Sequence, residues 1–550
     1  MSNREMLTIN FENGEVIRAL EDTKIIDVID KLQNKPKDLL GVLVNNEEHS
    51  VYYKLVRDSY CNFVTFDMPE GERIYTRSLK FILFMAIQKV CPQLKIHFLN
   101  KINRNHFAVV DEGEISKEII NDIKKEMKTI IQADYKFDKI KANFDKAKRI
   151  YEKSNQTDKL ENMFHKFRGT YTIYSCNGYY NYFYGMLATS TKSIKGFNLK
   201  MYKGCLVLML PKKDNISSVE NKIKPSKLHD VFIETNQYHA RAGCDTLSKI
   251  TAKIRDGKIA EVIQFSEALQ DRKLVEVAQA IAKRKNVKVV LIAGPSSSGK
   301  TTFSRKLAKQ LEVDGYIPVP ISMDDFFKER NEIPFINGKQ NFENVDAVDI
   351  ELYKKTLDEL LAGKEVTMPR FDFTQGKKVF DRPTMKLDKN TVLIIEGIHG
   401  LNPLASDFID HDEKFKIYIA PLVTLSLDNW NKFSSSDARK LRRVVRDAYT
   451  RGFNAKRTFN MWKDVVEGEK NNIFPYVDDA DFIYNSSLIY ELVALAPLAK
   501  TLMLFEQNNE CSAEAWRLTK ILENFLPMDN SVIPNDSILR EFIGGSSIKI

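Results

Sequence analysis

Close cysteine pairs, long apolar runs, internal repeats and low-complexity tracts are all missing from this sequence. The six cysteines among 550 residues, Cys61, Cys91, Cys176, Cys205, Cys244 and Cys511, are scattered, and no two have the spacing of a zinc knuckle or a redox motif. Buried, reduced thiols are expected. The longest apolar runs, such as Val289 to Ala293 and Val392 to Ile395, have strand length and fall far short of the ~20 residues a membrane helix needs, so no membrane partner is expected. Met1 to Glu15 mixes charged and apolar residues and lacks the apolar core of a secretory signal. A cytoplasmic location follows as an expectation. Excess charge is also small: the net +9 is mild for this length. It fits polyanionic ligands such as nucleotides or RNA without demanding either.

What is present is a chain too long for one core, with room for roughly three or four domains. Residues 1–68 read as a small β-rich unit: Leu7 to Phe11 alternates like a strand, Asn13-Gly14 supplies a hairpin turn, residues 25–33 are amphipathic and helical, and Gly41 to Val44 begins another strand. Residues 69–270 mix helical stretches (78–90, 116–132, 138–152) with strand-like ones (170–175, 205–210, 229–234), and Pro211 to Pro225 is loop-like. Residues 262–285 form a helical connector. Beyond it, over 271–500, buried strands alternate with helices: Val287 to Ala293, Pro318 to Ser322, Val392 to Ile395 and Phe415 to Ile419, with a helix over 349–362. That alternation predicts an α/β fold, a parallel sheet covered by helices on both faces, whose ligands bind at the C-terminal strand ends. Residues 501–550 make a C-terminal helical extension.

Gly294-Pro295-Ser296-Ser297-Ser298-Gly299-Lys300-Thr301 is a complete Walker A sequence, with a buried strand before it and an amphipathic helix (Phe303 to Leu311) after it. The glycines let the backbone wrap a phosphate, and the exposed N–H groups and helix N-terminus attract anions. Lys300 reaches the β- and γ-phosphates, and the Thr301 hydroxyl suits Mg²⁺; Thr302 completes the ATP-binding set. Glu396 ends an apolar strand beside this loop, where a carboxylate can join the metal shell. Of Asp324 and Asp325, one is expected to face the γ-phosphate, either to take the proton of an acceptor hydroxyl or to bind metal. Arg439, Arg442, Arg443 and Arg446 fall at helical spacing on one face, followed by Arg451, and five arginines with almost no acids argue for a polyphosphate lid.

Together the P-loop, Ser322-Met323-Asp324, Asn341-Phe342-Glu343, Pro369-Arg370-Phe371-Asp372-Phe373, Glu396-Gly397-Ile398 and Arg442-Arg443-Val444-Val445-Arg446-Asp447 resemble the uridine kinase and phosphoribulokinase family over roughly 285–500. The resemblance implies a nucleoside kinase using Mg²⁺ and ATP or GTP. In it Asp324 is the catalytic base, Glu343 a ribose-binding acid, Phe371 an aromatic stacked on the base and Arg443 a nucleoside contact, while Lys300, Arg446 and Arg451 serve the phosphates. Two positions depart from the uridine–cytidine pattern: Gly376 replaces a base-reading histidine, and Phe453 an arginine after the lid. Uridine or cytidine is the leading acceptor. Another small alcohol, such as a sugar phosphate or a pantothenate-like molecule, is the first rival, and a nucleotide-switched RNA-binding regulator the second.

The front resembles threonyl-tRNA synthetase: residues 1–68 look like a TGS domain and 69–250 like the second additional domain. This implies RNA, tRNA or a small ligand as a partner. His97 matches one member of the synthetase's editing cluster, but Lys101, Phe183 and Leu187 stand where other ligands belong, so editing chemistry is not expected. A metal site of His229, His239 and Cys244 is disfavoured against separate packing roles. The cluster Tyr171, Tyr174, Tyr179, Tyr180, Tyr182 and Tyr184 is read as sheet packing in preference to an RNA-stacking platform. A homo-oligomer is left open. Because every proposed chemical residue lies beyond Val287, a fragment from about 270 to 550 is expected to transfer phosphate alone.

Overall fold

The computed structural model describes residues 5–165, 169–333, 335–336, 339–504, 506 and 512–549. Cys511 lies outside the described residues; the other five cysteines are buried and free. Among the described residues no helix is long and apolar enough to cross a membrane.

At the front, Met6–Phe11 and Val16–Leu20 form the hairpin that Asn13-Gly14 turns, with Gly14 at φ +83°. Met6–Phe11 also runs parallel to Ser59–Val64. The resulting five-stranded sheet closes a small core with Ile25–Ile29, including Ile9, Phe11, Val28 and Val42. The next unit hangs on the long helix Pro69–Val90. That helix packs a four-stranded antiparallel sheet built from Lys95–Ile102, Asn105–Glu112, Asn198–Tyr202 and Cys205–Met209.

Two expectations fail in this unit. Residues 138–152 are not one helix: Asp138–Ala142 is a strand, and Asn143 then caps a helix over Phe144–Lys153 by accepting from the Lys146 N–H. Residues 229–234 are not a strand but part of the helix Lys227–Arg241, started by Ser226. Its buried positions, His229, Phe232, Thr235 and His239, recur at helical spacing, and two of them are histidines that a search for apolar periodicity passes over.

The C-terminal half is the expected parallel sheet. Val289–Ala293 (β1), Ile317–Ser322 (β2), Thr391–Gly397 (β3), Lys414–Ala420 (β4) and Phe482–Asn485 (β5) lie in the order β2-β3-β1-β4-β5. Alternation explains the two covered faces. Val290, Ile292, Val392 and Ile394 point into the core that holds the helix after the P-loop, Lys300–Val313 (α1). Val289, Leu291, Leu393 and Ile395 point into the core shared with Ile350–Leu361 (α2). In α1, Phe303, Leu307 and Leu311 repeat every four residues and are all buried.

The first of these cores does not begin at 271. It takes in Cys244, Leu247, Ile250, Val262 and Ile263, and the boundary expected at 270 falls inside the helix Ile259–Lys283. The two halves also interlock in the other direction. The loop after β4 carries Trp430, 7% exposed, into the front core, where its ring centroid lies 5.3 Å from that of Phe84 and 5.7 Å from that of Phe98. Phe98 N donates to Asn429 O at 2.8 Å, Lys80 Nζ to Trp430 O at 3.1 Å, and Lys159 pairs with Asp428 at 2.6 Å.

Candidate active site

The Walker A segment joins the C-terminal end of β1 to α1. A Cβ on Gly294 would come within 2.1 Å of Ile419 O, and Gly299 stands at φ +87°, so both positions require glycine. Ser297 also adopts a positive φ, +60°. The Ser297 and Ser298 hydroxyls are buried with no protein partner, while Lys300 Nζ donates to Gly294 O at 3.0 Å and Pro295 O at 3.3 Å. These are the groups a phosphate would engage.

Three acids approach Lys300. Thr301 Oγ1 donates to Glu396 Oε1 at 3.1 Å. The register pairs Ser322 with Glu396, which brings the turn after β2, and hence Asp324, beside it. Burial pushes Asp324 up to about 6, with Lys300 opposing the rise. Burial likewise raises Glu396 to about 7 and lifts Glu343 above its usual range, Lys300 and Arg443 respectively pulling the other way. Asp324 and Asp325 sit on a short 3-10 turn rather than a continuing strand. Asp325 is accounted for: Arg382 Nη1 lies 2.8 Å from its Oδ2, and its Oδ1 accepts from Phe371 N at 3.4 Å.

The arginine helix Ser435–Arg451 (α3) divides its cations between two tasks. Arg443, Arg446 and Arg451 converge on fully buried Asp447 at 3.3, 3.3 and 3.5 Å, and Arg443 Nη1 donates to Ser296 Oγ at 2.8 Å. Asp447 is therefore the counter-charge that gathers these three arginines, a role the sequence did not reveal. Of the arginines expected on one face, Arg442 is not there, whereas Arg439 also reaches the Walker A turn, its Nη1 donating to Ser296 O at 3.3 Å. Arg439 is paired with buried Glu469, whose Oε1 also accepts from Ser296 N at 3.2 Å. Arg442, fully buried, pairs with Glu491 and donates to Ser486 O at 2.8 Å. Residues three and four apart share a helix face only approximately: Arg439 and Arg443, four apart, both reach Ser296, and the seam between them and the buried arginine runs between 442 and 443.

The acceptor side needs a correction. Phe371, expected to stack on a base, is 3% exposed and packs edge-on against Phe327 and Phe373. The exposed ring of this hairpin is Phe373, at 57%. Gly376 lies at φ +68°, and a Cβ there would meet Arg330 Cβ at 2.9 Å, so the chain folds Arg330 over the place where a larger residue would stand. At the other departure, Arg457 lays its guanidinium 3.6 Å from the Phe453 ring centroid.

In the front half, Phe183 and Leu187 are buried in the apolar core. His97 Nδ1 faces Asp111 at 2.7 Å. His229 packs on Phe107 and Tyr202, and His239 bonds Thr424 Oγ1 at 2.8 Å, so neither faces Cys244 as a ligand set.

Residues 289–489 match the phosphoribulokinase / uridine kinase family. A uridine kinase of Ligilactobacillus salivarius is 30% identical over 190 residues, 34% of this chain and 79% of that enzyme. The chain belongs to the phosphoribulokinase / uridine kinase family. As a family member it is a phosphotransferase with an alcohol acceptor. A second relative, the uridine kinase of Staphylococcus haemolyticus, is 30% identical over 36% of this chain and 87% of its own length. The N-terminal part is similar instead to a threonine–tRNA ligase of Clostridium kluyveri, 27% identical over 158 residues, which are 28% of this chain and 25% of the ligase. The chain thus joins a kinase of this family to a synthetase-like front.

Proposed function

We infer that this kinase moves the γ-phosphoryl group of ATP, or GTP, to the 5′-hydroxyl of a nucleoside, with uridine or cytidine the leading acceptor. The observation that carries the reading is the half-buried carboxylate of Asp324, beside Lys300 and Glu396 at the mouth of the Walker A turn. Asp324 accepts the proton of the attacking hydroxyl. The new O–P bond forms as the bond from the γ-phosphorus to the bridging oxygen breaks, and the nucleoside diphosphate leaves with that electron pair. Lys300, freed from the loop carbonyls it now faces, neutralises charge on the departing oxygens, and Arg443, Arg446 and Arg451 cover the phosphates.

The donor set fits Mg²⁺: the Thr301 hydroxyl and the Glu396 carboxylate already lie together. Thr301 and Glu396 would hold the ion, which when bound neutralises the β- and γ-phosphates. Glu343, half-buried and close to Arg443, would accept from ribose hydroxyls. Exposed Phe373 takes over from Phe371 as the ring available to a base. In the same reading the synthetase-like front contacts RNA or a small ligand, and turnover measured with and without tRNA tests that part.

The deciding experiment supplies ATP or GTP with a panel of ribonucleosides and scores nucleoside 5′-monophosphate. Uridine or cytidine should be phosphorylated. Transfer to a sugar phosphate or a pantothenate-like alcohol, with no ribonucleoside accepted, would sink the nucleoside assignment.

A further inference from the structure

Thr302 occupies the first turn of α1, where backbone N–H groups have no partner within the helix. Both of its donors are taken by one carboxylate from the far end of the chain: Glu541 Oε2 accepts from Thr302 Oγ1 at 2.7 Å and from Thr302 N at 3.3 Å. Glu541 belongs to the short C-terminal helix Arg540–Ile543. That segment is anchored by fully buried Leu539 and Phe542, with the Arg442 guanidinium 4.9 Å from the Phe542 ring centroid. Ile538 of the same segment covers Gly299, where an added Cβ would lie 2.6 Å from Ile538 Cδ1. Glu541 also acts on the site's charges, favouring the charged form of Arg446 and opposing ionisation of Glu396.

We propose that Glu541 is an internal anion that occupies the place of a donor phosphate on Thr302, so that a nucleoside triphosphate binds only after this carboxylate has been displaced. The inference rests on the nucleotide-binding reading above. Its physical basis is competition. The N–H and hydroxyl of Thr302 belong to the anion-binding start of α1, and a carboxylate and a phosphate cannot accept from both at once. Two anions side by side would also repel in a site partly closed to solvent. The apolar anchors of the segment need not move, because Glu541 is only half-buried and its side chain can swing while Phe542 stays in the core. The free energy of breaking the Glu541 contacts is subtracted from the intrinsic affinity for the triphosphate.

Direct titration calorimetry of the full chain with MgATP, no acceptor present, tests this. Glu541→Ala should bind MgATP tighter than the wild type by on the order of tenfold or more, the change expected on removing a carboxylate that accepts from both Thr302 donors. Glu541→Gln should fall between, since an uncharged amide still reaches Thr302. The melting temperature without nucleotide should drop slightly in Glu541→Ala, while the rise on adding MgATP should grow. Unchanged affinity in Glu541→Ala would overturn the proposal, and weaker binding would make Glu541 part of the donor pocket instead. Absence of triphosphate binding in every variant is a separate result, which overturns the nucleotide-binding reading itself.

Discussion

Asp324 serves two opposing demands, and both can be measured. As the proposed base it must be ionised, yet burial resists that charge and holds the group at about 6. Asp324→Asn keeps the shape and loses the proton acceptor, so turnover should fall by roughly 10²–10⁴-fold, with MgATP affinity nearly unchanged. Steady-state kinetics beside calorimetry check this. In the wild type, kcat/KM should decline as pH drops through about 6, because protonated Asp324 cannot accept.

Stability runs the opposite way. A carboxyl whose folded pKa is raised contributes stability below its unfolded value, and that contribution is lost as pH rises through the folded one. Asp324→Asn should therefore raise the melting temperature at pH 8, above the 3.8-to-6 window, and make little difference at pH 3.5. A variant that is inactive and less stable at pH 8 would contradict this account. Asp325→Asn should behave differently. It loosens the pairing with Arg382 and the Phe371 N–H and so should loosen the hairpin, with a smaller effect on turnover.

At the scale of the element, α3 is a single helix that turns some arginines toward the Walker A turn and roots another in the core. Arg442→Met removes the charge that balances buried Glu491. Breaking such a pair costs about 3–5 kcal/mol, so denaturant midpoints should fall while the folded fraction binds nucleotide normally. Arg443→Met, one residue on, should lower kcat and cost less stability, because Asp447 keeps Arg446 and Arg451. Equal stability losses in the two variants would erase the distinction.

The sequence shows why this seam was hidden. Arg442 and Arg443 are neighbours with the same chemistry, and the partner that buries the first, Glu491, lies 49 residues away. The Walker A turn, β1, β3 and Glu396 were legible because their signals are local: an apolar run, then fixed glycines, then Lys-Thr. Phe371 and Phe373 could not be told apart, since a hairpin's inward side is set by what packs on it. The helix at 227–241 was misread for a related reason: three of its four buried positions are histidine or threonine, and only the short apolar run Val231-Phe232-Ile233 stood out. Glu541 was invisible because its partner, Thr302, is 239 positions distant.

Over the whole molecule the two halves are less separable than their sequences suggest. A fragment from 271 to 550 cuts Ile259–Lys283 in two, strips Cys244, Leu247 and Ile250 from the sheet's core, and leaves Trp430 bare. It should aggregate or melt without cooperativity and fail to bind MgATP, which circular dichroism and calorimetry will register. A soluble fragment with full transfer activity would show these contacts to be dispensable. The front should not edit, because Phe183 and Leu187 are core residues with no ligating or water-activating group. No deacylation of mischarged threonine tRNA is expected, and deacylation lost in His97→Ala would overturn that.

Trp430 also bears on how such a chain can be inherited. A recombination event that kept only the kinase would leave an indole in water, and one that kept only the front would leave a socket between Phe84 and Phe98. Either product would begin with a defect in its core, so exchange across this join would carry a folding cost that neither half bears while they stay together.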